Sequence, residues 1–367
     1  MNGLALGVMT GTSLDAIDIA LLSIKNSKPD KLMGFYSQPI PKIHKKEIQT
    51  LLEASHNEIH KASIINNKLS FKISLTINKF LKKIKVSPKQ IMIVGVHGQT
   101  IRHNPLEGYS IQLCNPSIIA EKTKISVASD FRTRDIVRGG EGAPLAPVFH
   151  KEIAINFAPC AILNIGGIAN ITLIDNNKKN NECIVKGFDI GPGNCLSDIW
   201  CNYNLNKPYD NLGIWAKSGS LNQQLLKLML KDPFFEKSSP KSTGIEYFNF
   251  DWINNFLNSI NVKVNPENVQ KTILELTAVT ISNSIPRKYE KLFICGGGIK
   301  NKYLLERIRL NTRKKIFSTS HLGWKPECIE PACFAWLAAK TLWQQKVELN
   351  QITGSKNNGI NGSITFA

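Results

Sequence analysis

The chain has 367 residues, 42% hydrophobic and 20% charged, with 46 Lys and Arg against 28 Asp and Glu, a formal net charge of +18. That length calls for two domains, and with no uninterrupted apolar run near the ~18 residues of a membrane span the composition excludes a transmembrane protein. The eight cysteines are scattered, several within apolar runs, and form no Cys-x-x-Cys pair, which argues against a disulfide framework and a zinc site.

The N-terminus lacks a basic region followed by an apolar core and a cleavage site, so a cytoplasmic location is expected. The lysines are spread through Lys-, Asn- and Ile-rich stretches without interleaved stacking aromatics. A solvated lysine surface is therefore expected, with no nucleic acid and no membrane as partner.

In chain order, Gly7-Val-Met-Thr-Gly-Thr-Ser-Leu-Asp-Ala-Ile-Asp18 reads as a strand, a Gly/Thr/Ser turn and a second strand. Gly7 and Gly11 are expected to give the backbone positive φ and a close approach to a ligand, with Thr10, Thr12 and Ser13 as hydroxyl donors around a phosphate. A third apolar run around 34–40, an amphipathic stretch over 45–54 and a long helix over 59–84 follow, the last stopped by Ser87-Pro88. The run 91–96 reads as a buried strand entering His97-Gly98-Gln99-Thr100, with a return through 109–113, a helix over 116–122 and a short strand over 125–130. Gly139-Gly-Glu-Gly-Ala-Pro144 has the composition of a hinge, ahead of a helix over 145–155. Strands are then predicted over 160–165, 168–174 and 184–190, and helices over 195–200, 221–230 and 269–285. A strand over 292–295 precedes helices over 302–311 and 331–344, and the polar tail from 350 ends in a short strand over 363–366.

Two further glycine turns follow apolar runs, Leu163-Asn-Ile-Gly-Gly-Ile-Ala-Asn170 and Leu292-Phe-Ile-Cys-Gly-Gly-Gly298. Neither the Gly-x-x-x-x-Gly-Lys-Ser/Thr loop nor a Gly-x-Gly-x-x-Gly opening a helix after the first strand is present. The three turns resemble those of the actin, hexokinase and Hsp70 ATPase superfamily. The resemblance implies an α/β, two-domain actin-like ATPase (ribonuclease H-like) fold with a central cleft, two phosphate loops and an adenosine turn. The expected domains are 1–130, completed by the C-terminal tail, and 131–350, with 351–367 packing back. The alternative is that all three are ordinary tight turns of a large α/β protein.

Asp189 ends an apolar strand before Gly-Pro-Gly, at the mouth of a sheet where open α/β folds bind ligands. It is read as a proton acceptor, against the alternative of a helix-entry cap. Asp15 and Asp18 are candidates for metal or water contacts, with Asp18 read as structural between two isoleucines. His97 and Gln99 offer donors and acceptors at a strand end. Arg132, between Asp130 and Asp135, would clamp a carboxylate or pair with an acid. Glu330 would bind a sugar hydroxyl or favour its helix dipole.

The segments Gly11 to Asp18, His97-Gly-Gln-Thr-Ile-Arg-His103, Asp130-Phe-Arg132, Asn164 to Asn170 and Asp189-Ile-Gly-Pro-Gly-Asn194 resemble the anhydro-N-acetylmuramic acid kinase family. Lys241-Ser-Thr-Gly244, Glu275-Leu-Thr277, Cys295-Gly-Gly-Gly298 and Glu330 with Phe334-Ala-Trp-Leu337 continue that resemblance in order, while Arg138 and Glu141 depart from its pattern. The resemblance implies ATP- and Mg²⁺-dependent hydrolytic opening of 1,6-anhydro-N-acetylmuramic acid with phosphorylation of O6, in cell-wall recycling. Asp189 would be catalytic, and Gly11, Thr12, Ser13, Leu14, Asp15, Ala16, Ile17, Asp18, Asn164, Gly166, Gly167, Gly296, Gly297 and Gly298 would bind ATP. His97, Gln99, Arg132 and Glu330 would bind the amino sugar. The metal ligands and the oligomeric state stay open, a homodimer among the options.

Overall fold

The computed structural model describes residues 1–11, 14–176, 183–260 and 263–367. The three opening apolar runs form an antiparallel meander, β1 (Gly3–Thr10), β2 (Ala16–Lys25) and β3 (Lys28–Pro39). Next come β4 (Ile91–Val96), the hairpin β5 (Gln99–Asn104) and β6 (Tyr109–Leu113), and β7 (Val127–Ser129). A second meander, β8 (Cys160–Ile165), β9 (Ile168–Asn176) and β10 (Cys183–Pro192), precedes β11 (Lys291–Cys295) and β12 (Lys315–Ser318), and β13 (Ser363–Thr365) closes the chain.

The two large sheets have the orders β13-β7-β4-β1-β2-β3 and β10-β9-β8-β11-β12. In each the meander is followed by strands added parallel to its first member, β4 and β7 in one and β11 and β12 in the other. The chain thus repeats one α/β plan, each copy opened by strand, turn and strand, as the actin-like reading requires. One compact unit comprises Met1–Ile153 with Cys328–Ala367, the other Ala154–Glu327.

Those limits displace the expected division at 130/131 and 350/351. The segment 139–144, read as a hinge, lies inside the first unit and is tied there: Gly140 N–H donates to Asp135 O at 3.0 Å and Glu141 N–H to Thr353 O at 2.8 Å. Arg138 likewise bonds Ile360 O and the Asn361 side chain, both in the same unit. The helix Ile329–Leu342 also belongs to the first unit, because two strand glycines leave room for it.

Period-two alternation explains how. Leu6 and Val8 of β1 join the core beneath the helix Glu58–Ile84, with Ile73, Ile77 and Phe80. On the opposite face Gly7 is paired with Gly95 of β4. A Cβ at Gly7 would lie 1.8 Å from Pro331 O, and one at Gly95 2.1 Å from Phe334 O, so the bare backbone of both strands seats the Ile329–Leu342 helix. Gly7 lies mid-strand under a helix, which corrects its reading as a positive-φ ligand glycine.

In the second unit the helix Pro266–Asn283 packs Leu274, Ala278 and Ile281 onto the sheet. A separate aromatic cluster holds Phe234, Phe248 and Trp252. Its helix Phe250–Asn258 was not predicted, although Asn249 Oδ1 caps it by accepting Trp252 N–H at 2.9 Å and Phe250, Ile253 and Leu257 recur at helical spacing. Among the described residues no helix is long and apolar enough to cross a membrane.

Candidate active site

In the second unit, register brings two glycine turns together. Asn164, at the end of β8, is paired with Asn170 of β9 and with Cys295 of β11, so the turn 165–168 and the turn after β11 share one sheet end. Gly296 has φ of 81°, and a Cβ on it would lie 2.3 Å from Asn164 Oδ1. A Cβ on Gly298 would lie 2.3 Å from Ile165 Cγ2, whereas one on Gly297 meets nothing within 4 Å. Gly296 and Gly298 are glycine for protein packing; Gly297 faces open space, the arrangement a planar ligand needs at this turn. Gly297→Ala is expected to leave thermal stability unchanged and weaken nucleotide binding by roughly tenfold, read by calorimetry. Unchanged affinity would remove the nucleotide from this turn.

The Gly166-Gly167 turn is locked to the end of β10. Gly193 N–H donates to Gly167 O at 2.9 Å, Asn194 N–H to Gly166 O at 2.9 Å and Cys195 N–H to Gly167 O at 3.1 Å. A Cβ on Gly193 would lie 2.5 Å from Gly166 O. From the helix Pro266–Asn283, the Thr277 hydroxyl reaches Pro192 O and Gly193 O at 3.0 and 3.2 Å.

Asp189 sits where β10 bulges: it pairs with Asn170, and the register shifts before Gly191 pairs with Ala169. Such a bulge turns a strand-end side chain out of the pleat. Asp189 is 7% exposed. Its N–H donates to Lys241 O at 3.0 Å and its Oδ2 accepts Thr243 N–H at 3.0 Å, so the 241–243 segment fixes the carboxylate. Lys241 Nζ donates to Phe234 O at 3.1 Å and lies 4.5 Å over the Phe234 ring. Burial pushes its ammonium down and the neighbouring Lys237 adds to this, while the Asp189 charge opposes both.

Asp232 anchors the base of this segment, accepting Phe234 N–H, the Tyr247 hydroxyl and Trp252 Nε1–H at 2.8–2.9 Å. Lys241 and Thr243 were not singled out as site residues from sequence. The Lys241-Ser-Thr-Gly244 motif was their only signal.

In the first unit, a second polar group gathers where β1 and β4 end. Thr10 Oγ1 donates to Gly98 O at 3.1 Å and His97 N–H to Val8 O at 3.1 Å. His97 is 5% exposed. Its Nδ1 lies 2.8 Å from Gly98 O and therefore carries the proton, leaving Nε2 to accept from Arg132 Nε at 3.0 Å and Nη2 at 2.8 Å. Arg132 Nη1 donates to Gly142 O at 2.8 Å. Gln99 is buried with no hydrogen-bond partner at Oε1, an acceptor that fits a ligand hydroxyl or amide donor. The Phe334 ring packs 4.7 Å from His97, and Glu330 lies one turn earlier on the same helix face. Of the four residues read as sugar ligands, His97 and Arg132 are in direct contact, and Gln99 and Glu330 lie in the same unit on the elements that flank them.

Burial, with the Arg132 charge second, pushes His97 down to about 3, so the imidazole stays neutral. His150 is pushed to about 3 by burial alone. Because the folded chain refuses protons that the unfolded chain takes up near pH 6.5, stability is full above that pH and declines toward pH 3. Denaturant midpoints at about pH 7.5 and about pH 5 should show a smaller loss for His97→Gln than for the wild type. Equal losses would contradict a buried neutral His97.

The first loop is less uniform than expected. Thr12 and Ser13 lie outside the described residues. Leu14 and Ile17 are buried in the core, so only their backbone is available to a nucleotide. Asp15 pairs with Lys45 at 3.0 Å and is largely exposed; Ala16 opens β2 opposite Pro39, and Asp18 is paired with Met9 and Ser37. Gly11 O accepts Leu14 N–H at 3.0 Å. Among the described residues no group of three His, Cys, Asp or Glu is arranged to hold a metal. The acids present, Asp15, Asp18 and Asp189, fit a Mg²⁺ ion held by one or two carboxylates together with nucleotide phosphates and water, its common mode.

Two strand-turn-strand units thus open two α/β sheets of one plan, and the second holds a buried carboxylate at a strand bulge beside paired glycine turns. The chain belongs to the anhydro-N-acetylmuramic acid kinase family, whose model matches residues 3–367. It is 40% identical over 369 residues to the anhydro-N-acetylmuramic acid kinase of Pseudomonas savastanoi pv. phaseolicola, covering 99% of each chain. It is 38% identical over 366 residues to that of Coxiella burnetii, covering 98% of this chain and 96% of the relative. Among solved structures it aligns with Acidaminococcus fermentans (R)-2-hydroxyglutaryl-CoA dehydratase component A at a TM-score of 0.45 and 11% identity, covering 91% and 98%.

Proposed function

We propose that this chain uses ATP to open 1,6-anhydro-N-acetylmuramic acid with water and to phosphorylate O6, giving N-acetylmuramate 6-phosphate in cell-wall recycling in the cytoplasm. Family membership over the whole chain supports the activity. The single observation that carries the mechanism is the Asp189 carboxylate, buried at the bulge and oriented by Thr243 N–H.

Asp189 takes a proton from a water whose oxygen bonds to C1. The C1–O6 bond breaks, O6 bonds to the γ-phosphorus, and ADP leaves. One base thereby serves both bond changes. The Asn164 to Asn170 turn and Gly297 are assigned to the nucleotide, with Gly11, Thr12 and Ser13 supplying donors to its phosphates. Positioning and fixed donors account for most of the catalysis in such transfers. Mg²⁺, when bound, supplies charge neutralisation at the phosphates. Arg132, Gln99 and Glu330 hold the sugar; neutral His97, read from sequence as a sugar ligand, has both ring nitrogens taken by Gly98 O and Arg132 and so acts by orienting Arg132, with no part as an acid.

An ADP-release assay tests the substrate. Turnover is expected with 1,6-anhydro-N-acetylmuramic acid and not with glucose, N-acetylglucosamine or N-acetylmuramic acid. Turnover with one of those and not with the anhydro sugar would make the chain a kinase of a different sugar.

A further inference from the structure

We infer that Thr353, in the C-terminal tail, is a positioning residue of the sugar site, acting through Asp135 and Gly142 on Arg132. The inference rests on the reading of Arg132 as a sugar ligand. Each link is a direct hydrogen bond. The Thr353 hydroxyl donates to Asp135 Oδ1 at 2.9 Å, Asp135 Oδ2 accepts Gly142 N–H at 2.8 Å, and Gly142 O accepts Arg132 Nη1 at 2.8 Å. Arg132 in turn holds His97 Nε2.

Burial gives the chain of bonds its force. Asp135 is 0% exposed and Thr353 1% exposed, so water cannot replace a lost donor. The tail makes a second tie, Glu141 N–H to Thr353 O at 2.8 Å. The loop also wraps the carboxylate closely: a Cβ on Gly140 would lie 2.3 Å from Asp135 Oδ2, and Gly142 needs its φ of 67° to present N–H to Asp135 and C=O to Arg132. Removing the Thr353 hydroxyl strands one oxygen of a buried carboxylate, which must shift and carry the Gly142 peptide with it. The guanidinium then loses its fixed aim, while the Asn164 to Asn170 and Gly297 nucleotide turns, which lie in the other unit, keep theirs.

The test compares KM for sugar and for ATP in folded variants, with thermal melts as the check on folding. Thr353→Val is isosteric and should raise the sugar KM by roughly tenfold while leaving the ATP KM within about twofold. Thr353→Ser, which keeps the hydroxyl, should restore the sugar KM. Asp135→Ala, which removes the acceptor of both Gly142 N–H and the Thr353 hydroxyl, should reproduce the Val effect. Arg132→Ala should raise the sugar KM further, and adding Thr353→Val to it should change nothing more. If Arg132→Ala leaves the sugar KM unchanged, the reading of Arg132 itself fails. If Arg132→Ala raises it but Thr353→Val and Asp135→Ala leave it unchanged, or if Thr353→Val multiplies the Arg132→Ala effect, the positioning role is overturned. Equal rises in the sugar and ATP KM would mark Thr353 as merely structural and overturn it as well.

Discussion

Asp189→Asn is expected to lower sugar phosphorylation by about a thousandfold while leaving ATP binding within a few-fold. The amide is nearly isosteric, and its Oδ1 can still accept Thr243 N–H, the bond that Oδ2 accepts now at 3.0 Å. Backbone pairing with Asn170 and the Asp189 N–H bond to Lys241 O do not involve the side chain. Fold and nucleotide turns therefore persist, and only the capacity to take a proton is lost. Single-turnover measurements with a melting curve and ATP calorimetry separate the two. Retention of more than about a tenth of wild-type turnover would remove Asp189 from the base role.

Gly7→Val should prevent the first unit from folding normally. Its Cβ would lie 1.8 Å from Pro331 O and 2.5 Å from Ala335 N, both backbone atoms of the helix Ile329–Leu342. No rotamer relieves a clash with backbone, so helix and sheet must separate. Overpacking in a tight core costs roughly 1–3 kcal/mol, and more when backbone must move. That separation also uncovers β1 and β4, whose other faces hold Leu6, Val8 and Val94 in the core. Circular dichroism melting should show a large fall in Tm or no cooperative transition. A normally stable Gly7→Val protein with weakened ATP binding would instead place Gly7 in the phosphate loop.

Gly7 and Gly297 are both read from sequence as ligand glycines, yet one seats a helix and the other faces open space. Only the three-dimensional position of the Ile329–Leu342 helix separates them. That helix also explains the displaced unit boundary, since its Ala-rich sequence carries no mark of the sheet it returns to. Asp189 stands out as a candidate in the sequence because an apolar strand running into Asp-Ile-Gly-Pro-Gly is an unusual local pattern, and the structure buries it at a strand bulge. The Asp135 to Thr353 bond spans 218 positions and has no local signature. The strand order of neither sheet was read from the sequence: the apolar runs gave the strands but not their neighbours. The hinge reading of 139–144 failed because glycine composition records freedom of φ, which here serves a tight wrap around Asp135.

The proposed reaction couples addition of water at C1 to phosphoryl transfer onto O6. Mass spectrometry of the product formed in ¹⁸O-labelled water tests that coupling, with quenching before the anomeric oxygen exchanges. The prediction is N-acetylmuramate 6-phosphate carrying one ¹⁸O at C1 and none in its phosphate. A phosphorylated product without ¹⁸O in the sugar, or with the label in the phosphate, would contradict it.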